Sequence, residues 1–266
     1  MGPRLAKSSA RVVPFIGNDS SPHSNLVSFA VQSGGGPGAS LSASTFIPTA
    51  PWEVPDSAYL PGPSFAPIQP DGTDTLQAND ARFSGRVICV GGVLYAVHNT
   101  EFNGHVAIRW YRLRTSDNLL LETGIISDPD LDLFFPSIAA NAYGVVVICF
   151  NGSSINTYIS CYAVAGQTQN GVTTFGNRTL LQASALNYHD FYEQLMLSDT
   201  SRWGDYSATS VDPVDPNRFW TIQMYPATTL AWATQITEIN TRIIPELAID
   251  RAGTNVLVAW RITPGN

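Results

Sequence analysis

A strand pattern that recurs along the middle of the chain most constrains what it can fold into. It occupies residues 80–127, 135–184 and 203–239. Each copy has an opening segment, an apolar β-branched strand, a turn and an alternating strand, and the first two copies add a shorter outer strand. Alternation with a period of two between turn residues is typical of antiparallel strands. Four antiparallel strands in a unit of roughly 40–50 residues predict a blade of a β-propeller.

The predicted fold is therefore all-β. We expect a partial β-propeller over residues 26–240, in which residues 26–32 and 41–47 form two strands of an earlier half-blade. A β-sandwich with irregular loops is the alternative, because regularly spaced turns suit that fold too. Residues 241–266 depart from the pattern and indicate the first strands of an appended segment resembling a β-sandwich.

Two segments have a composition that does not suit a regular sheet. Residues 1–25 are rich in Ser, Pro, Asn and Gly without periodicity, which predicts a disordered or displaced tail. Residues 48–70 are rich in proline, which cannot donate to a central ladder. We expect this second segment to cross a surface and to be held there by its aromatic side chains, Trp52, Tyr59 and Phe65.

Charge and composition exclude some classes of function. The net charge of −7 and the 14 scattered Lys and Arg residues provide no basic face for nucleic acid. No apolar run approaches the roughly 20 residues that cross a bilayer, so membrane insertion is not expected. The first residues lack the apolar core of a signal peptide, so an exported form is expected to have a longer N-terminus.

The cysteines and carboxylates give no clear cofactor site. Cys89, Cys149 and Cys161 lie in apolar strand-like runs and are expected to be buried, with a bridge between Cys149 and Cys161 left open. The alternating carboxylates at positions 128, 130 and 132 suit Ca²⁺ in type. They lack the glycine and the terminal glutamate of an EF-hand loop, so no cofactor is expected and calcium is left open.

The third copy of the pattern carries a resemblance to a known group. Residues 202–209 read Arg-Trp-Gly-Asp-Tyr-Ser-Ala-Thr, and Asp-Pro pairs follow at 212–213 and 215–216. This region resembles secreted bacterial sialidase-like (BNR-type) β-propeller proteins without an assigned activity. The resemblance implies a propeller fold and an extracellular or cell-surface location. The aspartate box of sialidases, Ser-x-Asp-x-Gly-x-x-Trp, is absent, since the nearest stretch at 198–203 lacks its glycine.

The same region supplies the candidate site residues. If the openings of the blades line a channel, one ligand site is predicted there, in which the ring of Trp203 is a platform for a sugar. In the alternative interpretation, Trp203 and Tyr206 pack between blades and Asp205 closes a turn. The predicted ligand-binding residues are Arg82, Arg202, Trp203, Asp205 and Tyr206.

These residues favour a secreted or cell-surface module that binds glycans or other surface polymers. The alternative is a sialidase-type glycoside hydrolase, which needs arginines for a carboxylate, a tyrosine paired with a glutamate, and an aspartate. Arg202, Asp205 and Tyr206 are then the catalytic candidates. A structural or adhesive module of a larger exported protein is the second alternative. An open blade edge would also favour self-association.

Overall fold

The computed structural model describes residues 11–14, 23–32, 38, 40–55, 66–72, 75–78, 81–190 and 200–242. These residues are all-β, and no helix among them is long and apolar enough to cross a membrane. In chain order the strands are β1 (Arg11–Pro14), β2 (His23–Phe29), β3 (Val31–Gln32), β4 (Ser40–Leu41), β5 (Thr45–Trp52), β6 (Thr75–Leu76), β7 (Ile88–Val90), β8 (Val93–Phe102), β9 (His105–Arg114), β10 (Leu120–Ile126), β11 (Asp132–Ala140), β12 (Val145–Ser154), β13 (Thr157–Gln169), β14 (Val172–Phe175), β15 (Thr179–Gln182), β16 (Thr200–Ser201), β17 (Ala208–Val211), β18 (Arg218–Pro226) and β19 (Trp232–Asn240).

Four antiparallel sheets contain most of these strands. Sheet I has the order β1-β2-β5, and sheet II is the meander β7 to β10. Sheet III has the order β11-β12-β13-β14, with β15 also paired to β13, and sheet IV has the order β17-β18-β19. Most strands of sheets II, III and IV lie close to where the repeated pattern predicted them, but β7 and β14 lie at positions for which it predicted no strand. Short pairs join β3 to β4 and, in parallel, β6 to β16.

Local sequence explains the connections within the sheets. Asn103 and Gly104 join β8 to β9 and both have positive φ, 55° and 82°, which a two-residue hairpin turn requires. After β11 the side chain of Asn141 accepts the backbone N–H groups of Tyr143 and Val145. Asp212 has the same role after β17, where it accepts the N–H groups at positions 214 and 215. The first strands of sheets III and IV therefore end in the same kind of turn.

The sheets pack face to face in chain order. Leu26 and Ile47 of sheet I meet Leu94, Ala96 and Tyr111 of sheet II. The opposite face of sheet II packs on sheet III through Val97, Trp110, Ile138, Ile148 and Phe150. The opposite face of sheet III packs on sheet IV through Val147, Cys149, Phe219 and Ile239. The core is thus a series of apolar layers between successive sheets.

Part of the N-terminal segment, which was expected to be a disordered or displaced tail over residues 1–25, lies in a sheet. Arg11–Pro14 is a strand that pairs with His23–Phe29, so residues 11–14 and 23–25 belong to sheet I. The physical reason is that the edge of β2 offers backbone donors and acceptors whatever side chains a partner carries. Composition therefore gave no signal of β1.

The proline-rich segment behaves partly as predicted. Pro48 and Pro51 lie in β5, which is an edge strand of sheet I and therefore tolerates residues without an N–H. Trp52 is buried and anchors the end of this strand. Tyr59, Phe65 and the predicted β-sandwich-like residues beyond Arg242 lie outside the described residues.

The expectation that the cysteines are buried is confirmed for two of the three. Cys149 and Cys161 are buried, whereas Cys89 is exposed because it lies in the three-residue edge strand β7. The expectation of burial is therefore wrong for Cys89. All three thiols are free. Burial raises the pKa of Cys149 to about 11 and that of Cys161 to about 12.

Candidate functional site

The openings of three sheets meet at one small cleft of about 160 Å³. Arg82 and Ser84 precede sheet II, Phe135 belongs to sheet III, and Asp205 and Tyr206 precede sheet IV. Three of the five predicted ligand-binding residues, Arg82, Asp205 and Tyr206, therefore lie together. The full lining is Arg82, Phe83, Ser84, Asn99, Phe135, Asp205 and Tyr206.

The backbone is strained on both sides of this cleft. Phe135 has φ 50° and Asp205 has φ 109°, values that L-residues with side chains rarely adopt. Gly204 has φ 68°, and a Cβ atom at this position would lie 2.6 Å from the Phe135 ring. Such conformations persist only when neighbouring contacts enforce them, and they are frequent at functional sites.

Side chains from neighbouring sheets hold Phe135 in this conformation. Asn99 of β8 is buried, donates to the carbonyl oxygen of Ala78 at 2.6 Å, and accepts the N–H of Phe135 at 3.1 Å. On the other side, the hydroxyl of Ser207 donates to the carbonyl oxygen of Phe135 at 2.8 Å. Ser137 and Thr209 add a hydroxyl pair at 2.7 Å between sheets III and IV. Both backbone groups of Phe135 are therefore fixed by other sheets.

Arg202 is joined to the cleft through Asp205. One guanidinium nitrogen lies 2.5 Å from Asp205 Oδ2. The Arg202 side chain is largely exposed and the Asp205 side chain is partly exposed, so this ion pair contributes little to stability. It does orient the carboxylate of Asp205 at the rim of the cleft.

Trp203 does not have the predicted role. It is 1 % exposed and packs among Leu76, Phe134 and Ile159, with Tyr188 edge-on at 4.9 Å. Its indole N–H donates to Asn151 Oδ1 at 3.3 Å. A ring in this position has no face open to a sugar, so the platform interpretation of Trp203 is replaced by the scaffold interpretation.

Tyr206 also differs from its scaffold interpretation, because it is exposed where Trp203 is buried. Packing between blades was the scaffold interpretation of this residue, but its side chain is exposed (75 %) and borders the cleft. The alternation of the sequence could not distinguish the two aromatic residues, because Gly204 and Asp205 with positive φ separate them. Tyr206 thus presents an exposed aromatic ring to a ligand in the cleft.

Sialidase-type chemistry also needs further arginine and glutamate side chains near the cleft, and Arg109, Glu238 and Glu193 do not supply them among the described residues. Arg109 is buried between sheets I and II. Glu238 lies 3.0 Å from Arg218 Nε on sheet IV. Glu193 lies outside the described residues.

The alternating carboxylates after β10 engage separate partners. Asp128 forms an ion pair with Arg178 and accepts the N–H of Asp130 at 2.9 Å. Asp132 accepts the N–H of Val106 at 2.9 Å and lies 3.2 Å from His105, and burial raises the pKa of its carboxyl group. Within the described part of the chain, no three His, Cys, Asp or Glu residues form a group that could hold a metal ion.

Comparison of the sequence with protein-family models gives no match, and comparison with curated proteins gives none either.

The groups in the cleft define the ligands it can accept. The guanidinium of Arg82 offers donors in a planar fork, the Asp205 carboxylate offers acceptors, and the hydroxyls of Ser84 and Tyr206 can do both. A ring of Tyr206 beside these groups adds an apolar face. This combination suits a ligand with several hydroxyl groups and a partly apolar ring face.

Proposed function

We propose that this chain is a secreted or cell-surface module that binds glycans, built from consecutive β-propeller blades. Sheets I to IV are the proposed blades, and the cleft of Arg82, Asp205 and Tyr206 is the proposed ligand site. The observation that carries the proposal is the meeting of three sheet openings at one cleft whose lining is polar, strained and bordered by an exposed aromatic ring.

The propeller arrangement is supported by the order of the sheets. The strands of sheets II and III follow one another in chain order across each sheet, and the sheets pack face to face with their neighbours. Propeller blades are repeated four-stranded sheets of this kind around an axis. The opening segments, from which the cleft is built, would then surround the axis.

The choice of a glycan as the ligand rests on the chemistry of the cleft and not on the fold, since a fold does not fix a function. Sugars present hydroxyl groups as donors and acceptors together with apolar C–H faces. Arg82, Asp205 and Ser84 complement the hydroxyls, and the Tyr206 ring complements the apolar face.

The proposal is tested on a glycan array with the purified chain, comparing wild type with Tyr206→Ala. Tyr143→Ala is the matched control, because Tyr143 is also an exposed tyrosine but lies in the turn after β11. We expect specific glycan binding that falls at least about tenfold in Tyr206→Ala, a loss of roughly 1.4 kcal/mol, and is unchanged in Tyr143→Ala. Binding that survives the Tyr206 substitution would exclude this cleft as the site.

The sialidase alternative is tested in the same preparation with a fluorogenic sialoside. The account predicts binding without turnover. Turnover that disappears in Asp205→Asn, in protein that remains folded, would make the cleft a catalytic site instead. If the chain neither binds nor hydrolyses any glycan, the structural or adhesive role replaces the proposed one.

A further inference from the structure

Arg109 is a buried cation between sheets I and II. It lies on β9 opposite His98 of β8, and the residue is 3 % exposed. One terminal nitrogen donates to the carbonyl oxygen of Pro51 at 2.8 Å, and the guanidinium carbon lies 5.6 Å from the centre of the Tyr111 ring. Among the described residues its Nε–H has no acceptor, and no carboxylate forms an ion pair with it.

A second buried donor without an acceptor lies in the same region. Trp52 directly follows Pro51, and its indole N–H has no acceptor among the described groups. The Trp52 ring lies 4.8 Å from the ring of His98, which is the residue opposite Arg109 on the neighbouring strand. Indole and guanidinium groups only donate hydrogen bonds, so the partner that both lack is an acceptor.

The neighbouring polar side chains do not supply this acceptor. His98 Nδ1 lies 2.5 Å from the carbonyl oxygen of Asn99, so Nδ1 carries the proton. His98 Nε2 lies 2.8 Å from the Tyr111 hydroxyl and accepts a hydrogen bond from it. Both residues are thus neutral and use their polar atoms on each other or on the backbone. The charge of Arg109 is therefore not balanced by either of them.

Burial makes this arrangement costly without a counter-ion. An unpaired charge inside a protein carries a large desolvation cost, and arginine cannot lose its proton to avoid it. A buried water molecule would accept a hydrogen bond but would leave the charge unbalanced. An anion that accepted hydrogen bonds from both donors would also balance the charge.

We propose that a small monovalent inorganic anion of the chloride type binds between sheets I and II, held by Arg109 and the indole N–H of Trp52. The anion is small because the two sheets are packed closely around Leu26, Ile47 and Tyr111. It links β5 to β9, and thereby stabilises the sheet whose Asn99 supports the candidate cleft. This site is separate from the glycan site, so the two proposals are tested independently.

Thermal unfolding in sodium chloride and in sodium gluconate at equal ionic strength tests the site. Gluconate is too large to enter between packed sheets. Chloride at about a hundred times its Kd is expected to raise the Tm by roughly 5–10 °C over gluconate. Equal Tm values in the two salts would overturn the proposal.

Substitutions assign the effect to the site. Arg109→Met keeps the length of the side chain without its charge, so it should abolish the chloride effect and be at least as stable as wild type in gluconate. Arg114→Met is the matched control, because Arg114 is on the same strand but exposed and paired with Asp117, and it should retain the full effect. A chloride effect that persists in Arg109→Met would contradict the assignment.

Trp52→Phe covers the case in which Arg109→Met does not fold. It keeps an aromatic ring in place and removes only the indole N–H, so the chloride effect should become smaller. Chloride NMR line broadening by the wild-type chain measures binding directly, and the broadening should be weaker with Trp52→Phe. Unchanged broadening and an unchanged Tm difference in this variant would overturn the role of Trp52 and with it the proposed site.

Discussion

At the scale of single residues, contact between Gly204 and the Phe135 ring fixes the shape of the candidate cleft. Gly204 combines φ 68° with a position in which a Cβ atom would lie 2.6 Å from that ring. Phe135 cannot retreat easily, because Asn99 and Ser207 hold its N–H and carbonyl oxygen. The turn before sheet IV therefore has little freedom.

Gly204→Ala is expected to destabilise the fold by about 2–4 kcal/mol, since the new methyl group adds steric overlap to an unfavourable φ. Gly171→Ala is the matched control, because Gly171 has φ 87° but open space around its Cβ position. The control should cost only about 1–2 kcal/mol. Chemical denaturation of both variants measures the difference, and equal losses would show that the Phe135 contact does not matter.

His98 gives the fold a dependence on pH. Burial lowers the pKa of His98 to about 3, with a smaller lowering from Arg109 and an opposing effect of its hydrogen bond to Asn99. In the unfolded chain His98 binds a proton near pH 6.5, whereas in the folded chain His98 stays neutral down to about pH 3. This contribution to stability is thus complete above pH 6.5 and is lost as the pH falls below it.

The free energy of unfolding should fall by up to about 1.4 kcal/mol per pH unit between pH 6 and pH 5 because of His98. His98→Gln can keep both hydrogen bonds without titrating, so it should remove this slope. His105→Gln is the control, because His105 is partly exposed beside Asp132. Urea unfolding at several pH values measures the slopes, and an unchanged slope in His98→Gln would contradict a buried neutral histidine.

At the scale of strands and sheets, sheet IV differs from sheet III in how its outer face is covered. Ala140 pairs with Val146 before the Asn141 turn, and Val211 pairs with Phe219 before the Asp212 turn. By this correspondence Ile222 of β18 is equivalent to Cys149 of β12. Cys149 is fully buried by sheet IV, whereas Ile222 is 39 % exposed. An apolar face with Ile222, Trp232 and Ile236 therefore remains accessible among the described residues.

This face and the edge of β19 are expected to cause concentration-dependent self-association. Ile236→Lys introduces a charge at the centre of the exposed face and should shift the chain toward the monomer. Ile155→Lys is the control, because Ile155 is similarly exposed in the β12–β13 hairpin but lies on another sheet. Sedimentation velocity at several concentrations measures the effect. A wild-type chain that stays monomeric at all concentrations would contradict this prediction.

Sequence reasoning was most effective at this scale. Apolar alternation and turn residues predicted most strands of sheets II, III and IV, because both signals are local, but they did not predict the short strands β7 and β14. It failed for β1, whose pairing depends on a free backbone edge, and for Cys89, whose exposure depends on the sheet edge. The proximity of Arg82, Asp205 and Tyr206 could be predicted only from the expectation that the opening segments of the repeated copies lie around one channel.

At the scale of the whole molecule, residues far apart in the sequence build the candidate site. Asn99 and Phe135 were not predicted, because nothing local marks a buried side-chain amide or a positive φ at an aromatic residue. Trp203 and Tyr206 exchanged roles for a similar reason, since burial is decided by the packing of neighbouring sheets. The repeated sheets and the cleft between their openings are therefore a single structural feature.

The most direct test of the glycan-binding cleft is a double-mutant cycle between Arg82 and Tyr206 on a glycan bound in the array. These residues precede different sheets, so a ligand that contacts both is expected to couple their contributions to the free energy of binding. We predict that each alanine substitution weakens binding and that the two effects differ from additivity by at least about 0.5 kcal/mol, measured by calorimetry. Additive effects, or binding that neither substitution changes, would contradict the proposed site.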